Sequence, residues 1–197
     1  DHDHDHEHGD EAHDHDHDHD HAAPERVVLD DVVLEDWEGE WNSMSAYLND
    51  EELQEALEAH AKAEGETVDE IKAEYLEKYK IDYETMVFAG DTITFYDARL
   101  NKDGKEIAKS KYSYVESYKV EHGKHDIEWH VFEGEEGAKF KYLMLMPVHG
   151  EETLAHFHMR LGDDVEKMLG EDDWFPTFIK PTTTYDQLAD VFGPHEH

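Results

Sequence analysis

The chain has 197 residues, enough for one domain with a substantial core. Its 52 acidic against 17 basic side chains give a net charge of -35, which repels phosphate backbones and anionic lipid and draws in divalent cations. Cysteine is absent, so disulfides, thiolate metal sites and thiol nucleophiles are excluded, and any metal must be held by nitrogen and oxygen.

No apolar run approaches the ~20 residues that span a bilayer, and no signal-peptide pattern opens the sequence. The abrupt start at Asp1, without methionine, reads as a mature or trimmed form with room for a removed export signal. Residues 1–21 alternate acid and histidine almost without interruption: nine His, ten Asp or Glu, and only Gly9 and Ala12 between them. Such a segment has no apolar area to offset the entropy of ordering. Residues 1–24 are therefore expected to be a disordered His/Asp-rich metal-binding tail and linker, closing with Ala22, Ala23 and Pro24. Neutral imidazoles supply the ligands and the interleaved carboxylates gather cations. Taking the tail's ten acids from 52 leaves residues 25–197 with 42 acids against 17 bases, a net charge of -25.

The folded part opens with Val27 to Leu34 and then Glu35-Asp-Trp-Glu-Gly-Glu-Trp41. Gly39 and Trp41, at the start of the first expected strand, resemble the G-x-W signature of lipocalins and their calycin relatives, where the Trp closes one end of a barrel. Two helices follow. Asn49 or Asp50 is expected to cap an apolar stripe of Leu53, Ala56, Leu57 and Ala61 that Gly65 ends. A capping box of Thr67 and Glu70 opens the second, ahead of Ile71, Tyr75 and Tyr79. His60, on the first stripe, reads as a satisfied boundary residue rather than a ligand.

From Met86 to His158 the period changes to two. Thr92–Tyr96, Lys111–Val120 and Asp126–Phe132 alternate as strands, punctuated by turns at 101–104, 121–123 and 134–137. About six successive strands with short turns indicate a meander, and a meander that hides its edges closes into a barrel. His122 and His125 flank a turn and are expected to be solvated.

The most informative stretch comes next. Tyr142–Met146 reads as a strand, and His156-Phe-His158 as its partner, with Glu151–Leu154 as the turn between them. Two residues apart on a strand, His156 and His158 leave the same face. A turn centred between Glu152 and Thr153 pairs residues whose numbers sum to 305, which sets His149 opposite His156. Three imidazoles then converge, and three neutral histidines with an open fourth position are a recognised zinc site. His130 is the reserve third ligand. A short helix follows over Asp163–Leu169, and a last one runs from a capping box at Thr184 and Gln187 to Phe192, stopped by Gly193 and Pro194.

Such a site serves metal binding and hand-over. The same three histidines and a water would serve a zinc hydrase or hydrolase, although no general base or oxyanion motif surrounds them. A third reading, a lipocalin-like carrier of small molecules, follows from Gly39, Trp41 and the meander alone.

Several segments together resemble the ZinT (YodA) family of exported zinc- and cadmium-binding proteins, which also occurs as the C-terminal half of some zinc-uptake lipoproteins. They are Leu34–Trp41 with Ser43 and Leu48; Ile81–Glu84 ahead of Gly90; Tyr112–Lys119; and above all His156-Phe-His158 with Gly162, Asp163, Trp174, Pro176 and Thr177. The resemblance covers about residues 30–195. It implies a mainly β, calycin/lipocalin-like antiparallel barrel with flanking α-helices over residues 25–197, and a three-histidine zinc site at the barrel mouth. It implies a non-enzymatic role outside the cytoplasm, periplasmic, extracellular or as a surface lipoprotein, in scavenging or buffering Zn2+ and supplying it to a zinc ABC importer. The expected ligands are His149, His156 and His158. In the family the third ligand lies further upstream, so His149 requires a shorter hairpin here. Imidazole also serves Cd2+, Cu2+ and Ni2+. The partners implied are divalent metal ions and the importer's substrate-binding protein, with no nucleic acid and no membrane span.

Overall fold

The computed structural model describes residues 23–122 and 124–194. The expected tail at 1–21 lies outside these residues, as does the side chain of His122. The described strands are β1 (Glu25–Val27), β2 (Gly39–Ser43), β3 (Thr85–Ala89), β4 (Thr92–Tyr96), β5 (Glu106–His122), β6 (His125–Gly134), β7 (Tyr142–Leu145), β8 (His156–Gly162) and β9 (Thr177–Ile179). From β2 to β9 each strand pairs antiparallel with the next, and β9 pairs back onto β2, so eight strands close an up-and-down barrel. Closure leaves the barrel strands no long open edge.

Long β5 makes the geometry possible. Its first part pairs with β4 and its second with β6, while β1 pairs with it at Ser117–Lys119. Register shifts at Phe95/Tyr96 and Tyr114/Glu116 mark the bulges that bend the wall. The short β9 was not anticipated. Three residues carry no readable period, and only pairing with β2 and β8 makes Thr177–Ile179 a strand.

Alternation divides the side chains of the wall. Trp41, Phe88, Phe95, Phe132, Phe157, Met159 and Phe178 point inward and fill the barrel. On the outside, Met44, Leu48 and Ile179 meet a helical layer of α1 (Gln54–Glu64), α2 (Val68–Tyr79) and α4 (Tyr185–Phe192). A second outer cluster joins Trp129, Val131 and Met144 to Met168 of α3 (Val165–Leu169). Trp41 packs on Phe157 with ring centroids 4.9 Å apart and donates its Nε1–H to the Trp37 carbonyl at 2.8 Å.

The helix starts are partly as expected. Gly65, at φ 69°, closes α1 in the left-handed conformation that favours glycine. Thr184 and Gln187 form a complete capping box on α4, whereas at α2 the Thr67 oxygen accepts from the Glu70 N–H but the Glu70 carboxylate bonds the Thr67 hydroxyl instead of its backbone. Neither Asn49 nor Asp50 caps α1, which is entered through a 3-10 turn at Glu51–Leu53 with no side-chain cap. The Asp50 carboxylate is engaged elsewhere: both oxygens accept from Arg99 at 2.7 Å, and the Tyr185 hydroxyl donates to it at 2.8 Å. A bidentate, charge-assisted pair outcompetes a cap, and this one ties the 99–102 turn to α4. α3 begins at Val165, capped by Asp164 rather than led by Asp163.

Candidate metal centre

Strand β8 begins at His156, and its neighbours decide where each ring goes. Phe157 and Met159 are fully buried inside the barrel, so His156 and His158 leave the outer face. His149 and His156 exchange both backbone hydrogen bonds at 2.8 Å, the expected register. Further along the same pair of strands, Leu145 faces Met159, a sum one lower, so a one-residue irregularity separates the regular ladder from the histidine bridge.

The loop between the two histidines is tightly constrained. Gly150 has φ 84°, and a Cβ there would lie 2.6 Å from the Leu154 carbonyl oxygen. Glu152 also takes a positive φ, 52°, ahead of the 3-10 turn Glu152–Leu154. The resemblance placed the site at the barrel mouth. The His156 and His158 rings stand on the outer face of the wall at the start of β8, because the inward positions are taken by Phe157 and Met159.

Ring centroids are 6.2 Å apart for His149 and His156, and 5.5 Å for His156 and His158. Three imidazoles around a tetrahedral Zn2+ at Zn–N ~2.1 Å have centroids about 5 Å apart. Among the described residues no three His, Asp or Glu side chains are already closed into a ligating group, so the fit requires the exposed His149 ring to swing inward.

The other two rings have their hydrogen bonds set. His156 Nδ1 lies 3.1 Å from the Leu154 carbonyl, which only accepts, so Nδ1 carries the hydrogen. The Thr177 hydroxyl donates to the Phe175 carbonyl at 2.9 Å, and its oxygen therefore accepts from His158 Nδ1 at 2.7 Å. Both Nε2 lone pairs are left for a metal, the usual outer-shell arrangement around a ligating histidine. Burial, with repulsion from His156, His149 and Lys78, lowers the His158 pKa to about 4, which keeps it neutral.

His130, the reserve candidate, lies apart from these rings. It shares the inner face with Phe132, edge-on to Trp37 at 5.9 Å, and its Nδ1 lies 2.6 Å from Ser117 Oγ. The wall of the barrel separates it from His156 and His158. His60 is half-buried between Tyr75 and the Phe192 carbonyl, as its place on the helix stripe implied. His125 is exposed.

Two supporting residues carry no sequence signal of their role. Thr177 faces His158 across the β8–β9 pair, and its value as an orienting group exists only once β9 is recognised. Arg160, on the same outer face as the histidines, is 3% exposed. It donates to the Trp174 carbonyl at 2.8 Å and the Met168 carbonyl at 2.6 Å, sandwiched between the Trp129 and Phe175 rings. Burial lowers its pKa to about 10, with partial compensation from Glu171 and Asp172. It holds the segment whose Phe175 ring stands edge-on to His158 at 6.3 Å.

A cavity of about 390 Å³ opens beside His156 and His158, between β9, α4 and the 150–154 loop. A larger cleft of about 800 Å³ near the end of α2 is lined by none of the three histidines.

The family model described as ZinT (YodA) periplasmic lipocalin-like zinc-recruitment matches residues 20–195. The chain belongs to the ZinT (YodA) family. The probable metal-binding protein YrpE of Bacillus subtilis is 32% identical over 153 residues, covering 75% of this chain and 59% of YrpE. The chain thus spans about three-fifths of that relative's length. Among solved structures, the Zn(II)-bound ZinT-like domain of Streptococcus pneumoniae AdcA is similar at TM-score 0.60 and 25% identity, over 83% of this chain and 91% of that domain. Zn(II)-bound AdcA from the same organism is similar at TM-score 0.61 and 25% identity, over 85% of this chain but only 36% of AdcA. Membership of the ZinT family and the metal-binding relative support a zinc-binding role. None of the described helices is long and apolar enough to cross a membrane.

Proposed function

We propose that this ZinT-family chain is a zinc carrier outside the cytoplasm, in which His149, His156 and His158 hold one Zn2+ with an exchangeable fourth position. The tail gathers further ions, and the cargo is passed to the substrate-binding protein of a zinc ABC importer. The observation that carries this reading is the cross-strand pair of His149 and His156 beside His158, with both β8 Nε2 atoms left free by committed Nδ1–H groups. The Zn(II)-bound AdcA domain supports it as a structural neighbour. An open fourth position suits hand-over because ligand exchange needs no protein bond to break first.

A carrier is favoured over a hydrolase by what surrounds the rings. The cavity beside His156 and His158 is lined by threonine, glutamine, Tyr79 and apolar side chains, with no carboxylate or lysine to take a proton from metal-bound water. Cd2+, Cu2+ and Ni2+ would occupy the same nitrogens, since the donor set does not discriminate strongly among them.

The test is zinc titration of the full chain, of the His158→Ala chain and of a chain lacking residues 1–21. The His158→Ala change is expected to weaken the tightest site by more than the ~10–100-fold typical of losing an outer-shell partner. Removing the tail is expected to lower the stoichiometry and leave the tightest site unchanged. Unaltered tight binding in His158→Ala would refute the site; unaltered stoichiometry without the tail would refute capture.

A further inference from the structure

In a chain with 52 acidic residues, the cavity beside His156 and His158 is lined by no Asp or Glu at all. Its walls are Met44, Leu154, Ile179, Leu188 and Val191, with Thr153 and Tyr79 among the few polar groups. A site for zinc alone needs only its nitrogen ligands and an open position, not a walled apolar space beside them. This one has the composition of a small-molecule site: mostly apolar, about 390 Å³, with a few polar groups.

Two of those polar groups have hydrogens to give. Tyr79 is only 9% exposed, and its hydroxyl makes no hydrogen bond among the described residues. Thr153 Oγ1 accepts from Gln187 Nε2 at 3.0 Å, which leaves its own hydrogen unused. Free donors in a cavity that also contains two metal-directed imidazoles call for an anionic head, and the apolar walls call for a hydrocarbon body.

Resting on the zinc site proposed above, we propose that the cavity binds a small monocarboxylate. Its carboxylate completes the coordination of the bound metal, and its alkyl chain lies against Leu154, Leu188 and Val191. One carboxylate oxygen takes the fourth ligand position and the other accepts from Tyr79 or Thr153. The cargo then travels as a ternary complex, shielded on its open side. No bond is made or broken beyond metal–ligand exchange.

The alkyl chain provides the test. Each methylene buried against an apolar wall strengthens binding about three- to fourfold, so hexanoate should bind the zinc-loaded full chain at least tenfold more tightly than acetate, with butyrate between. Affinities are read by ligand-detected NMR titration. Carboxylates on zinc held by the tail would show no such gradient. Val191 is 39% exposed, so Val191→Gln is expected to fold normally, to keep parent zinc affinity, and to flatten the gradient below threefold. Affinities within twofold across the series, or a gradient equally present without zinc, would overturn the proposal. Hexanol binding as tightly as hexanoate would do the same. A flat series on a chain whose tight zinc binding still depends on His158 counts against the guest alone. Tight zinc binding independent of His158 counts against the metal site itself.

Discussion

Replacing Thr177 with valine tests whether the site is pre-arranged by its surroundings. The substitution is close to isosteric and removes one oxygen, which accepts from His158 Nδ1 at 2.7 Å and is bound through its hydrogen to the Phe175 carbonyl at 2.9 Å. Thr177 is 3% exposed, so water does not readily take its place. Each orphaned partner costs about 1–3 kcal/mol when fully buried. His158 is only partly buried, which puts the apo chain's loss at about 2–3 kcal/mol rather than the sum of the maxima. For the metal, loss of the outer-shell partner removes both tautomer control and ring orientation, worth about 10–100-fold in affinity. Thr177→Ser keeps the oxygen and loses a methyl group, about 1 kcal/mol of stability, and should hold zinc within about threefold of the parent, well short of the outer-shell effect. Urea melts of the metal-free chains and zinc competition against a chromophoric indicator read the two quantities separately. Equal zinc affinity in the Val and Ser variants would show that Thr177 does not orient His158.

Other perturbations probe other parts of the argument. Burial would raise the Asp50 pKa, but hydrogen bonds from Arg99 and Tyr185 outweigh it and hold the carboxyl below its ordinary value. Its stabilising effect is therefore present above the unfolded value near pH ~4 and is lost as pH falls through the depressed folded value. Asp50→Asn should cost about 3 kcal/mol at neutral pH by leaving a buried Arg99 charge uncompensated, measurable as a shift in urea midpoint. His158 has its folded pKa lowered to about 4, so the metal-free chain should lose about 2–3 kcal/mol as pH falls from ~6.5 toward ~4, since the unfolded chain takes up that proton first. His158→Gln should remove most of this slope in pH-dependent denaturation, and an unchanged slope would place the titration elsewhere. Gly150→Ala forces a Cβ to 2.6 Å from the Leu154 carbonyl at φ 84°. It should destabilise by about 1–2 kcal/mol and weaken zinc, because backbone strain at a left-handed position is relieved only by moving the loop between His149 and His156.

Much of the candidate site's geometry was legible in one stretch of sequence. Alternation around Phe157 put His156 and His158 on one face, and the turn arithmetic put His149 beside His156, because a strand's period is two and a hairpin's register follows from its turn. The barrel was legible for a similar reason: β3 to β8 are consecutive, locally connected strands whose period and turns are written in the residues themselves. Local sequence could not say which face of β8 is the inside. That depended on Phe157 and Met159 meeting side chains from strands far away in the chain, and it sent the histidines outward under the helices, leaving His130 on the other side of the wall. The diversion of Asp50 from cap to ion pair was equally invisible, since Arg99 lies 49 residues away. So was the part played by Thr177, which reaches His158 only through a three-residue strand that exists because β2 and β8 leave a gap for it. Local periodicity determined the elements and the hairpin. Burial, a property of the closed barrel as a whole, determined which face carries the histidines and which residues hold their rings.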